Sequence, residues 1–400
     1  MFSIKSLIGL AAFSVLQVQG INLDVTSTDS IKSAASIIAK DLVGLYKESQ
    51  IPGAPIGVLN ESYSWWESGA MFDTLIQYWR LTGDSQYNQL VTQGLASQRG
   101  PNDDFMPLNQ TISIGSDDQS IWALAAISAA EARLGGDQNV SWFDLAQATF
   151  DEQVLRWDEE TCNGGLRWKI LPFNAGYSYK NTMATGNFFQ LAARLAVSTN
   201  NDTYAEWATT AWNWTQTAGL IDEDHNVFDG ADVSTDCSAI NKLQLSDNAG
   251  TFIAGAAYMY NYTDGDIKWK ISLDSLVNRT MSVFFPSGIA TETACESINS
   301  CTTDQRASKG VLGKWLVDTI AIAPHTSELI TEQLISSAQA AAKTCGDDGC
   351  GLDWSGNAKN SSTGVGEQIN ALNYVQGLLQ SHATIKSSSG EMTDSVCYSE

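Results

Sequence analysis

Two adjacent acids, Asp117 and Asp118, stand directly before the apolar run IWALAAISAA. Ser116-x-x-Gln119 fits a capping box, and acids favour the first turn of a helix through its dipole, so a structural role for one of them is at hand. A second acid is harder to explain as a cap, because it brings like charge into a partly enclosed place. Two neighbouring carboxyls can instead divide the cleavage of a glycosidic bond between them. Retention of configuration needs carboxyls about 5–5.5 Å apart, and inversion needs about 6.5–9.5 Å. Neighbouring Cα atoms lie about 3.8 Å apart and their side chains diverge around a helix, so the shorter separation is within reach. Burial and mutual repulsion favour keeping a proton on one member; the helix dipole opposes this. A DDxxD magnesium site of the isoprenoid-cyclase kind fits poorly, since the run Asp117-Asp118-Gln119-Ser120-Ile121 lacks the final acid.

Other polar and aromatic residues fall just ahead of apolar runs and are candidate contacts for a bound sugar. Trp65 and Trp66 offer a stacking platform for C–H faces, or else core packing. Tyr177, Lys180 and Asn181 share one loop, with Asn187 one or two helical turns further in; these residues bind substrate or cap the loop. Asp229, Asn248, Gln305, Arg306 and Lys309 occupy equivalent places, with Glu367 and Gln368 as weaker additions. Arg306 and Lys309 could hold an anionic glycan, but offsetting an acidic rim is the better reading. There is no CxxC and no HxxxH spacing among His225, His325 and His382, so neither a metal nor another cofactor is expected.

The elements that must position these residues show a repeat. YWRLTGDSQY, EARLGGDQNVSW, ARLAVSTNNDTY and YMYNYTDGDIKW each close an apolar helix, turn, and open the next helix with an aromatic residue. Helical spacing of apolar residues predicts twelve helices, at 29–49, 66–82, 84–98, 118–134, 141–157, 182–199, 201–218, 246–262, 266–283, 307–322, 327–343 and 364–382. Runs apolar all round alternate with amphipathic ones, as expected for an all-α (α/α)6 barrel of six inner and six outer helices. A linear solenoid is the alternative. Turns from inner to outer helix are short. The loops into each inner helix are long and hold the unusual residues, which places a working face at one rim.

In these 400 residues only 17% are charged and the net charge is −23, which excludes binding to nucleic acid through phosphate neutralisation. A monomer is expected. MFSIK followed by LIGLAAFSVL reads as a signal peptide over 1–20, ahead of a catalytic domain at 21–385 and a Ser-rich tail at 386–400. Glycosylation sequons at Asn60, Asn109, Asn139, Asn201, Asn213, Asn261, Asn278 and Asn360 agree with export. So do seven Cys: Cys295 with Cys301 and Cys345 with Cys350 each close a small loop, Cys162 and Cys237 are the remaining interior pair, and Cys397 is left over. No hydrophobic tail follows the sequence CYSE.

The segment SDDQSIWALAAISAAE resembles the adjacent-Asp signature of glycoside hydrolase family 76, the endo-α-1,6-mannanases. The likeness extends from about residue 24 to 382 through YSWWESGAMFDTLIQYW, CNGGLRWKI, YSYKNTMATGNFFQLAARLA, FDGADVSTDC, AGTFIAGAAYMYNYT, DQRASKG, CGLDW and GVGEQINAL. It is strongest to the fungal cell-wall branch, whose members are proposed to act on the glycan of GPI-anchored mannoproteins and transfer them to wall glucan. The resemblance implies an (α/α)6 barrel, retention of configuration, Asp117 as nucleophile and Asp118 as acid/base. It also supports the three Cys pairs. It implies a donor in α-mannan or the GPI-core glycan, a β-glucan acceptor, and a secreted protein at the cell surface or wall, held to the membrane only through a lipid anchor that this sequence lacks. A wall-glycan binding protein without turnover is the alternative, and the intact acid pair speaks against it. Two places depart from the family pattern: Ala307-Ser308 stands where Ser-Phe is usual, and Asp247 stands where an aromatic is usual.

Overall fold

The computed structural model describes residues 20–136, 140–356 and 362–389. The leader up to residue 19, Asn139, Asn360, Cys397 and the tail beyond 389 lie outside the described residues. Twelve α-helices form among these residues. The odd-numbered ones are α1 (Thr28–Ser49), α3 (Asn88–Ser97), α5 (Trp142–Leu155), α7 (Asp202–Thr217), α9 (Ile267–Phe284) and α11 (Ser327–Thr344). The even-numbered ones are α2 (Trp65–Thr82), α4 (Ser116–Glu131), α6 (Thr182–Thr199), α8 (Ser246–Tyr262), α10 (Gln305–Ile322) and α12 (Val365–Ser389).

Their burial follows their sequences. In α7 the buried residues Tyr204, Ala205, Ala208, Ala211, Trp212 and Thr215 recur at three and four, a single apolar stripe. In α6 every residue from Ala184 to Ala196 is buried, which requires neighbours on all sides. The even-numbered helices accordingly pack in the order α2, α4, α6, α8, α10, α12, and α12 returns to α2. That closure selects the (α/α)6 barrel over the solenoid. The odd-numbered helices pack outside this ring. Small residues let the inner helices approach: a Cβ at Gly255 would overlap the Phe189 ring.

Most helices begin and end within about two residues of expectation, a discrepancy normal for helix termini. The larger differences have local causes. The α3 helix starts late because Gly83 turns left-handed (φ 79°) and Asp84 bonds the Gln86 N–H. The α4 helix starts two residues early, since Gly115 and not Ser116 precedes its first turn, and ends three early, ahead of left-handed Arg133 (φ 54°); α12 runs on seven residues past its expected end, to Ser389. Between α5 and α8, three short antiparallel strands pair in the order β1 (Tyr179–Asn181), β2 (Gly230–Asp232), β3 (Ile240–Asn241).

The three expected disulfides form: Cys162–Cys237, Cys295–Cys301 and Cys345–Cys350. Toward the C-terminal ends of the inner helices, buried charges pair with one another. Lys314 bridges Asp73 at 3.1 Å and Asp318 at 2.8 Å, Arg80 reaches Asp318 at 2.9 Å, and Arg194 reaches Glu131 at 2.7 Å. The opposite ends, where the long loops gather, stay open.

Candidate active site

The long loops enclose a cleft of about 480 Å³ over the N-terminal ends of the inner helices. The first turn of α4 lies in its lining. Gly115 is extended and pairs with Lys169 in an isolated antiparallel bridge. Ser116 N–H donates to the Trp168 carbonyl at 2.7 Å, and Trp168 N–H donates to the Tyr179 carbonyl at 2.7 Å. These bonds tie the Trp168-Lys169 segment to the α4 entry on one side and to β1 on the other. A side chain at position 115 would meet the carboxylates of Asp117 and Asp118, so glycine is what leaves them room.

Asp117 Oδ2 accepts a hydrogen bond from Asn181 Nδ2 at 2.6 Å, and its Oδ1 accepts one from the Asp118 N–H at 2.8 Å. Asn187 Nδ2 reaches the Asp117 carbonyl at 3.5 Å. Asp118 Oδ2 accepts from the Gly115 N–H at 2.7 Å and stands 3.5 Å from Lys169 Nζ. That ammonium also donates to the Ser113 carbonyl at 2.9 Å and lies over the Trp168 ring. The expected Ser116–Gln119 capping box does not form; Asp118 caps the helix through Gly115 instead, while its carboxylate still faces the cleft. Burial, and then the charge of Asp118, hold the Asp117 carboxyl above the ordinary carboxylate range, against Lys169 and the Asn181 donor. Burial also raises Asp118, opposed first by Lys169 and then by the Gly115 N–H. Carboxyls coupled this closely titrate as a pair, and such a pair keeps one proton where isolated acids would have lost both.

Aromatic and polar groups complete the lining. Trp66 Nε1 donates to Asp304 Oδ1 at 2.8 Å. Trp65 is mostly core: it stacks on Trp122 with centroids 4.9 Å apart and donates to Gln98 Oε1 at 2.9 Å. Trp168 and Tyr179 meet edge to face, and the Tyr179 hydroxyl donates to Asp229 Oδ2 at 2.6 Å. Asp229 is raised by burial and lowered by its bonds to Tyr179 and Asn241. The two departures from the family pattern meet here: Ser308 Oγ donates to Asp247 Oδ2 at 3.0 Å.

Of the residues singled out in the sequence, the cleft brings together Asp117, Asp118, Trp65, Trp66, Asn181, Asp229 and Asn248. The others stand outside its lining. Tyr177 packs under the Arg167 guanidinium, 4.5 Å from its ring centre. Asn187 is fully buried beneath Asp117. Gln305 Oε1 accepts from the Thr302 N–H at 3.0 Å, a loop contact. Arg306 lies 4.0 Å from Glu367, itself buried together with Gln368. Lys309 is buried against Glu296 at 2.9 Å, bonds the Leu352 carbonyl and lies over the Trp354 ring, which is charge balance and not a rim contact. Lys180 is fully buried; its Nζ donates to the carbonyls of Asp158, Thr161 and Gly164 at 3.0, 2.6 and 2.6 Å. It pins the loop that holds Cys162. Lys180→Met is therefore expected to destabilise the fold by about 3 kcal/mol, because it strands three buried carbonyls and Asp158. Denaturant unfolding measures this loss, and an unchanged KM in the folded fraction separates it from a binding role.

Trp168, Lys169, Tyr179 and Asp304 were not anticipated as site residues, yet they line the cleft. All four fall in noted segments, CNGGLRWKI, YSYKNTMATGNFFQLAARLA and DQRASKG, but the bridge that folds the first two over the acids leaves no pattern in the chain. The six described sequon asparagines, Asn60, Asn109, Asn201, Asn213, Asn261 and Asn278, are all exposed.

The pattern of glycosyl hydrolase family 76 matches residues 30–389. Among curated relatives, the mannan endo-1,6-α-mannosidase DFG5 of Saccharomyces cerevisiae is 38% identical over 90% of this chain and 80% of its own length. The mannan endo-1,6-α-mannosidase DCW1 of Candida albicans is 39% identical over 94% of this chain and 85% of its own. The crystal structure of Dfg5 from Chaetomium thermophilum in complex with glucosamine has a TM-score of 0.85 at 40% identity, covering 90% of this chain and 92% of that one.

Proposed function

Because the chain belongs to glycosyl hydrolase family 76 and is thus a glycoside hydrolase, we propose that it cleaves α-mannosidic linkages of α-1,6-mannan or of the GPI-core glycan with retention of configuration. One observation supports this reading above the rest: two adjacent half-buried carboxyls line an aromatic-walled cleft, one held by Asn181 and the other beside Lys169.

In this reading Asp117 is the nucleophile. Two hydrogen bonds, from Asn181 Nδ2 and the Asp118 N–H, fix its carboxylate and favour its ionised form against burial and the charge of Asp118, which raise it; in this reading the shared proton is on Asp118 when the glycosidic bond breaks. Asp117 attacks the anomeric carbon while Asp118 delivers its proton to the departing oxygen, giving a mannosyl ester and a free sugar hydroxyl. Asp118, now a carboxylate beside Lys169, takes a proton from the incoming hydroxyl as that oxygen displaces Asp117 from the same carbon. Two inversions at one carbon give net retention. The incoming hydroxyl belongs to water in hydrolysis and to a sugar in transfer. Transfer to β-glucan would join GPI-anchored mannoproteins to wall glucan, and the protein would act after export, at the cell surface or wall. Retention by this pair is the premise for both outcomes.

The test is to incubate the purified protein with α-1,6-mannotetraose, with and without β-1,3-glucan oligosaccharides, and to weigh the products by mass spectrometry. Shorter mannooligosaccharides are expected without acceptor, and mixed mannose–glucose chains with it. No product in either incubation, repeated with a synthetic GPI-core glycan, contradicts the proposed substrates.

A further inference from the structure

We propose that a second groove, between α7 and the loops joined by the Cys162–Cys237 disulfide, seats the protein's own glycan on Asn213, with its first sugars over Trp157 and Trp214. Such a glycan requires the export proposed above and nothing of the active-site chemistry.

This groove encloses about 570 Å³, a volume typical of ligand sites. Thr210, Asn213, Trp214 and Thr217 recur at three and four along α7 and so present one face to it. Floor and rim differ in chemistry. Trp214 is buried and Trp157 half-buried, and their rings meet edge to face with centroids 6.0 Å apart. Glu159, Asn163 and Asp236 line the groove as exposed polar groups, and among the described residues the lining holds no cation. An aromatic floor beneath polar acceptors suits a neutral sugar, which brings C–H faces together with hydroxyl and amide donors. An anionic ligand would be repelled by the two acids.

Asn213 gives the second, independent sign, because it names the sugar. Asn213-Trp214-Thr215 is a glycosylation sequon, and Asn213 itself is an exposed member of the lining. A glycan linked there begins within the groove. So short a tether gives an effective concentration in the millimolar range, at which weak contacts suffice to seat it. Beneath it lies a small core separate from the main one, in which Cys162, Trp214, Leu220, Ala231 and Cys237 pack together. Trp214 Nε1 donates to the Cys162 carbonyl at 2.9 Å. Ala231 of β2 pairs with Lys180 of β1, whose neighbour Asn181 bonds Asp117. The seated glycan therefore braces the sheet that positions the acid pair.

The experiment uses the full chain secreted from a glycosylating eukaryotic host. The native protein is treated with peptide N-glycanase, and release at each sequon is followed by mass spectrometry of its peptides. Release at Asn213 is expected to be at least about tenfold slower than at the exposed Asn278 of α9, and equally fast once the protein is unfolded. After complete removal, amide hydrogen exchange over 158–164 and 233–238 is expected to quicken about tenfold, while α9 is unchanged. Asn213→Gln is expected to show the same quickening, and the enzyme-treated protein stands in for it if the variant is not secreted. Release at Asn213 as fast as at Asn278 overturns the proposal, as does exchange that removal leaves unchanged. An unmodified Asn213 overturns it as well. Beside glycans at other sequons that result counts against the groove alone, and with every sequon bare it also counts against export. Neither measurement reads mannan cleavage, so the proposed activity stands or falls separately.

Discussion

Asp117→Asn is expected to lower kcat on α-1,6-linked mannooligosaccharides by about 10⁴-fold or more, the loss typical when a covalent nucleophile is removed. The amide keeps the size of the carboxylate and can still accept from Asn181, but it cannot form the glycosyl ester. Folding should not suffer, because the substitution removes a charge that burial and Asp118 both disfavour. Asp118→Asn is expected to cost about 10²–10⁴-fold, the range for a lost general acid. Its defect should shrink in ester formation from an aryl mannoside, whose leaving group departs without protonation. Steady-state kinetics on both substrates, with melting curves beside them, check these outcomes. An Asp117→Asn enzyme within tenfold of wild type would remove Asp117 from the mechanism.

The protein is expected to be more stable at pH 5 than at pH 7.5. Glu67 and Glu292 are both fully buried, and burial pushes each carboxyl from 4.5 up to about 8. Neighbouring charges add to this, from Asp304 and Glu367 at Glu67 and from Asp247 at Glu292. One oxygen of each, Oε1, has no hydrogen-bonding partner. Between pH 4.5 and 8 the folded state holds protons that the unfolded chain releases, so stability falls as pH rises, by at most about 1.4 kcal/mol per pH unit for each group. Acids with lowered values, such as Asp158 and Asp318, act in the opposite sense but only as pH drops below 3.8. Glu67→Gln and Glu292→Gln should each flatten the profile and stabilise the protein at pH 7.5. Denaturant midpoints across this range measure it, and stability that rises with pH, unaffected by either substitution, contradicts the assignment.

The barrel was legible in the chain because burial writes itself into helical spacing. The all-round apolar run after Asp118 and the striped DTYAEWATTAWNW differ enough to sort inner from outer helices. The acid pair was legible for a related reason: charge at the mouth of an apolar helix is conspicuous. Depth within the long loops was not. Lys180 and Lys309 looked like rim cations, yet each side chain turns inward, one to three loop carbonyls and the other to Glu296. Asn181, next to Lys180, points the other way and reaches Asp117. That alternation belongs to β1, a strand of three residues and too short to show a period. Lys169 was missed because its place beside Asp118 depends on the bridge to Gly115, across a separation that no local pattern spans.

The most direct test of the acid pair is to trap the covalent intermediate. A 2-deoxy-2-fluoro mannosyl donor with an activated leaving group slows both steps, and the leaving group keeps ester formation ahead of its breakdown. Peptide mapping after brief incubation should find one fluoromannosyl unit, carried by Asp117. An adduct on another carboxyl, or turnover of natural substrate to the inverted anomer with no adduct formed, would contradict a retaining mechanism through Asp117 and Asp118.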